Sequence, residues 1–80
     1  MKIRVDVVLR EGVLDPQGKA IGHALETLDF KNVNDVRVGR TILLDVDCHD
    51  SKSAADQGRK MAEALLANLV IEDYTVEVLK

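Results

Sequence analysis

Cys48-His49-Asp50 is where a thiol, an imidazole and a carboxylate stand in a row in this 80-residue chain. A structural metal site needs more ligands, at spacings such as C-x-x-C, and Cys48 is the single cysteine. Neighbours on a strand point to opposite faces, so Cys48 and His49 do not form a nucleophile and its base. Cys48 is therefore read as a packing residue and His49 as a surface one. The acidic pairs Asp45/Asp47 and Glu72/Asp73 have the types for a magnesium site or acid–base work. Solvated charges on the open side of a sheet explain them more simply. His23, beside an apolar helical stripe, is read as a partly exposed histidine rather than a general base.

The stretch from Glu11 to Ile21, EGVLDPQGKAI, carries the most explicit local chemistry. Gly12 can take a positive φ and let a strand leave its sheet abruptly. Asp15 followed by Pro16 reads as a helix N-cap and first helical residue, because the carboxylate accepts a free N–H and Pro has none to orphan. Ile21, Ala24, Leu25 and Leu28 then fall on one helical face. Free N–H groups at Gln17, Gly18 and Lys19 could hold an anion, but Asp15 capping its own helix is the simpler use. An acylphosphatase would grip phosphate here with a basic loop, and no basic residue follows Arg10 until Lys19.

Composition narrows the partners. Fourteen acidic against eleven basic residues give a net charge of −3, mixed along the chain, which argues against a phosphate backbone as ligand. Phe30 and Tyr74 are the only aromatics, so no platform exists for stacking bases. No apolar run approaches the roughly 20 residues of a membrane span. The start mixes charges without a signal peptide's apolar stretch, and one cysteine makes no internal disulfide; both point to the cytoplasm. Eighty residues make one domain, 1–80, whose core is marginal alone and gains from association.

The elements follow from periodicity. Ile3, Val5, Val7 and Leu9 alternate with charges as a half-buried strand, and Val8 breaks the outer face. A helix runs from Pro16 to about Leu28, with Phe30 folding back beneath it. Val36 and Val38 face inward on a second strand, and Gly39-Arg40 reads as the centre of a type II′ hairpin. The third strand puts Ile42, Leu44, Val46 and Cys48 on one face. A second helix carries Ala54, Gly58, Met61, Ala62, Leu65 and Leu66, started by Ser53 with Asp56, by Asp50 or by Ser51, and ended by a left-handed Asn68. Tyr74, Val76 and Val78 alternate on a last strand. Strand–helix–strand–strand–helix–strand is the ferredoxin-like split βαβ plan (βαββαβ): α+β, a four-stranded antiparallel sheet with first and third strands central and two helices on one face. Val8, Leu43, Ile71 and Leu79 then lie on the open face as candidates for self-association, as a homodimer or a tetramer.

Beyond the elements, four segments carry a resemblance. Leu9 to Ala20, LREGVLDPQGKA, resembles the signature loop of the PurS family, the small subunit of phosphoribosylformylglycinamidine synthase in bacteria and archaea. Val36-Arg37-Val38-Gly39-Arg40, Leu65-Leu66-Ala67-Asn68 and Val70-Ile71-Glu72-Asp73-Tyr74 match that family in order. The chain departs from it at Leu69, where Pro is usual, and at Asp29, where Gly is usual; Asp tolerates the left-handed conformation moderately well.

The resemblance implies an accessory subunit without catalytic, cofactor or metal residues of its own. ATP and magnesium belong to the large synthase subunit (PurL), and glutamine is hydrolysed by the glutaminase subunit (PurQ). The small subunit brings the two together in de novo purine synthesis. Gly12, Asp15, Pro16, Gln17 and Gly18 are the expected partner-binding residues. Gln17 is the most telling, since a long amide on a first turn adds little to the helix. Two other classes share the fold: an ACT-like module holding a small ligand, and a small enzyme acting on a phosphate ester or acyl phosphate.

Overall fold

A computed structural model describes residues 1–79. Strand β1 (Lys2–Leu9) is central, flanked antiparallel by β2 (Gly39–Asp45) and β3 (Glu72–Leu79), in the order β2-β1-β3. Helix α1 (Pro16–Thr27) follows β1, and α2 (Ser51–Met61) follows β2 and closes in a π-helical turn over Ala62–Leu66. The alternation of β1 is realised at Ile3, Val5 and Val7, which are 0–1% exposed, while Leu9 at the strand end is half-buried. The first three pack with Ala54, Ala62 and Ala67, and with the inner-face residues Ile42, Leu44, Val46, Cys48, Tyr74, Val76 and Val78. Gly58 brings α2 close, since a Cβ there would meet Val76 and Ile3 at 2.8 and 3.1 Å.

The sheet has three strands, which corrects the expected four. Val36 and Val38 lie outside it, and the hairpin at Gly39-Arg40 does not form. A type II′ turn needs a positive φ at its glycine, and among the described glycines only Gly12 has one. Instead Gly39 pairs with Val8, and Arg40 pairs with Val7 in the ladder. Arg40 reaches across β1 to Glu72 on β3, with Nη1 to Oε2 at 2.7 Å and Nη2 to Oε1 at 3.1 Å. This non-local ion pair holds the chain straight where local turn chemistry favoured a bend. With the expected second strand gone, the expected third strand, β2, becomes an edge rather than a centre.

The second correction concerns the helices. Only α2 covers the sheet, packing on β3 and β1, while α1 stands away from it. The radius of gyration is 15.9 Å, against about 12 Å for a compact chain of this length. The molecule is correspondingly long, 49 × 27 × 14 Å. Residues 10–38 form an arm made of the loop, α1 and an extended return segment. Along that return Val36 is close to α1: a Cβ on Gly22 would meet its Cγ2 at 3.5 Å.

Helix ends account for the smaller differences. Asp50 caps α2, accepting from Lys52 N and Ser53 N, rather than Ser53. Ala67 N donates to Ala62 O, five residues back, so the last turn is wider than α-helical. That turn brings Ala67 inward and leaves Leu65 84% exposed. Asn68 is not left-handed. Its side chain accepts from Val70 N and its carbonyl from Ile71 N and Glu72 N, which makes it the pivot into β3. Phe30 does not fold beneath α1 but stands 55% exposed.

Asp29 does take the left-handed conformation, φ 76°. Phe30 N donates to Leu25 O and Asp29 N to Glu26 O, the paired bonds of a Schellman stop with Asp where Gly is easiest. A carboxylate at a helix C-terminus also opposes the helix dipole. Asp29→Gly relieves both costs and loses some unfolded-state entropy in exchange. The expected net gain is about 0.5–1 kcal/mol, a few degrees in a thermal melt. An unchanged or lowered melting temperature would show that the stop carries no strain.

Candidate functional site: the loop and arm after the first strand

The loop leaves β1 through a tight turn in which Val13 N donates to Arg10 O, 3.1 Å, with Gly12 at φ 86°. Arg10 N is held by Ile71 O at 2.8 Å, so the turn starts from a fixed point. Asp15 is then the hub. Its Oδ1 accepts from Gly18 N at 2.9 Å and its Oδ2 from Val38 N at 2.8 Å. One carboxylate thus caps α1 and ties the helix to the returning segment. The Val38 and Gly18 N–H groups, with the nearby Arg37 charge, hold its pKa below the usual carboxylate range. Its backbone carbonyl accepts from Lys19 N at 3.0 Å. The N–H groups of Gly18 and Lys19 are both taken by Asp15, so an anion has little left to bind.

Gly18 is buried for a similar reason. A Cβ there would stand 2.2 Å from Val36 O, so the close backbone approach it permits is made by this chain's own return segment. Arg37 adds a third tie, its Nη2 donating to Leu9 O and Arg10 O, each at 2.9 Å. Pro16 and Gln17 lie exposed on the first turn, and Leu14 projects beside them, 64% exposed. A groove of about 330 Å³ separates this turn from the sheet end, lined by Asp15, Pro16, Gln17, Val38, Arg40 and Glu72 among others.

The structure therefore brings Gly12, Asp15, Pro16, Gln17 and Gly18 together as one loop. Val8, Leu43 and Leu79 are separate from it, on the outer face of the sheet, where the register places Leu43 opposite Arg4 and Leu79 opposite Lys2. Ile71 precedes β3 in a turn and is also exposed. Cys48 is half-buried against the core, His49 is exposed and Asp50 is a helix cap. Among the described residues no three His, Cys, Asp or Glu side chains converge as a metal site would require.

Sequence reasoning missed the clamp between Arg40 and Glu72. Both sit at inner-face positions, Arg40 two before Ile42 and Glu72 two before Tyr74. Two opposite charges continuing two apolar faces were the available signal. Glu72 also accepts from Asn68 N at 2.7 Å, and Arg40 donates to Leu66 O. The Arg40 guanidinium and that N–H depress the Glu72 pKa, and the carboxylate in turn raises that of Arg40.

The family model of PurS, phosphoribosylformylglycinamidine (FGAM) synthase, matches residues 2–80. The chain belongs to the PurS family. The PurS subunit of Bacillus subtilis is 46% identical over 77 residues, covering 96% of this chain and 90% of that one. A PurS structure from the same organism superposes with a TM-score of 0.86 at 44% identity, covering 99% and 98% of the two chains. A chain of the PurLQS structure from Thermotoga maritima gives 0.87 at 35% identity over 98% and 95%. The three ties at Asp15, Gly18 and Arg37 lie in the segments that first resembled PurS, so those segments share a structural job as well as a pattern.

Asp15 makes the arm acid-sensitive. Its folded pKa is depressed, so its contribution is present above the ordinary carboxylate range and is lost as pH falls through the folded value; Glu72 adds in the same direction. Melting temperature should fall from about pH 4 downward. Asp15→Asn keeps one acceptor and turns the other into a donor, so it serves Gly18 or Val38 but not both. It should melt several degrees lower near neutrality and show a shallower acid slope than the parent. A parallel acid slope in the two proteins would remove Asp15 from the account.

Proposed function

We propose that this chain is the assembly subunit of phosphoribosylformylglycinamidine synthase. It joins an ATP- and magnesium-dependent synthase subunit (PurL) to a glutaminase subunit (PurQ) in the cytoplasm. The observation that carries this is the match along nearly the whole chain to PurS proteins, including a chain of the Thermotoga PurLQS structure. The reaction on this reading turns formylglycinamide ribonucleotide, glutamine and ATP into the amidine, with both chemical centres on the partners.

The loop supports the reading from this chain's own residues. Asp15, Gly18 and Arg37 fix the loop from within, so their chemistry is spent on the fold. Leu14 and Gln17 point outward with no fold to serve, beside Pro16, the exposed first residue of α1. A fixed base with an apolar side chain and an amide displayed on it suits a protein partner, since the backbone that carries them is already ordered before binding. Gly18→Val is a poor test here because it would collide with Val36 O and distort the arm.

Gln17→Ala is the clean variant. It leaves the cap intact and, if anything, favours the helix. Mixed with the two partner subunits, it should bind about tenfold more weakly, the size of one lost polar contact at an interface. Glutamine-dependent synthesis should fall at subsaturating subunit and recover at excess. An affinity equal to the parent's would place the docking surface elsewhere than this loop.

A further inference from the structure

We propose that the closing turn of α2 is a two-register element: Leu65 and Leu66 are alternate occupants of one inward place, and Arg40 is the latch that selects between them. The observation beneath this is a conflict of phase. In a continuous α-helix Leu65, eleven residues after Ala54 and seven after Gly58, lies about 20° round the axis from each. Ala54 and Gly58 are buried, yet Leu65 is 84% exposed. The π-helical turn over Ala62–Leu66 makes the difference. It rotates Leu65 out, keeps Leu66 packed against the core and buries Ala67. One leucine has changed places with the next.

The inward side chain is the same in both registers, so packing alone chooses weakly between them. A return to the α-helix hands one residue to the segment 68–71, which is exposed throughout. The choice falls to polar bonds from outside the turn. Arg40 Nη2 donates to Leu66 O, and Asn68 N donates to Glu72 Oε1 at 2.7 Å. Both bonds need the chain where the wider turn puts it. Arg40 and Glu72 are also paired with each other, so one charged couple on β2 and β3 grips the helix end from two sides.

The latch also lines the groove beside Pro16 and Gln17, through both Arg40 and Glu72. The register of the helix end is thus set from the side where the loop meets the sheet. An occupant of the groove that draws the guanidinium away frees the turn. In the π register Leu65 stands in solvent, as do Leu69 and Val70, 42% and 83% exposed. In the α register Leu65 turns inward and that exposed apolar run loses its first member. The switch lies in the turn and its latch, so it holds whatever the loop binds.

Thermal melts of the full chain, with circular dichroism as a folding control, test the latch by truncating each leucine in two backgrounds. In the parent, Leu66→Ala should lower the melting temperature by about 5 °C or more, and Leu65→Ala by no more than about 2 °C. In an Arg40→Met background the order should reverse, with L65A the costly substitution. Nuclear Overhauser contacts from the Leu65 methyls to Val7 or Tyr74 should appear in R40M and be absent from the parent. An order that R40M leaves unchanged, or a Leu65 that stays in solvent there, overturns the proposal. If R40M does not fold, Glu72→Gln carries the same comparison, since it removes the charge facing Arg40 but keeps an acceptor. An unchanged order in E72Q, or an unfolded E72Q, overturns the proposal equally, because a relaxed register must remain folded.

Discussion

Asp15 decides where the first helix stands. Its two carboxylate oxygens answer two N–H groups that are 20 residues apart in sequence, Gly18 at the start of α1 and Val38 at the end of the return. Without the second bond, α1 would be a capped helix free to swing about the loop. With it, helix and return segment are one body, and Gly18 can sit against the Val36 carbonyl only because that body is closed. Arg37 then fixes the body to the last carbonyls of β1. The arm is held by hydrogen bonds at its root, not by burial along its length.

This follows from the size of the core. Ile3, Val5 and Val7 are the large side chains that are fully buried, each contributing about 1.5–3 kcal/mol, and alanines fill much of the rest. Among the described residues of that core none comes from α1. An element that buries little must be positioned by directional bonds. Carboxylates with depressed pKa values do this without consuming apolar surface. The apolar residues of the arm stay available for another surface.

Much of this was legible in the sequence, for identifiable reasons. The period-two pattern of β1, the Asp15-Pro16 start of α1 and the stop near Leu28 depend on neighbours in the chain, and all three are present as read. The turn at Gly39-Arg40 was misread because its local chemistry competes with Glu72, 32 residues away. A turn motif states what a segment can do; a buried-side ion pair across a central strand states what it must do. The amphipathic stripe of α1 was visible too. It said that α1 has an apolar face, and the four-stranded plan assumed that its own sheet covers it, whereas Ile21 and Leu28 are exposed. Leu65 was misplaced by a smaller effect of the same kind, a single widened turn that shifts the phase of a helix. At the candidate site, the loop residues were legible as a group, while Arg37 and Arg40, which hold the loop's surroundings, were hidden in strand-like runs.

A subunit with the assembly role proposed for this chain gains from this division of labour. The sheet and α2 pack together around one core, and the arm projects from it. Binding then costs little ordering, because Asp15, Arg37 and the Schellman stop at Asp29 have already set the projection's path. The glycines make the same point from the other side. Gly12 turns the chain out of the sheet and Gly18 lets the return segment close on the helix, so each serves the geometry of the arm. What they leave exposed is Leu14, Pro16 and Gln17 at the root and the α1 stripe along the length. The arm therefore exposes two surfaces of different chemistry, a mixed polar and apolar turn and an apolar helix face.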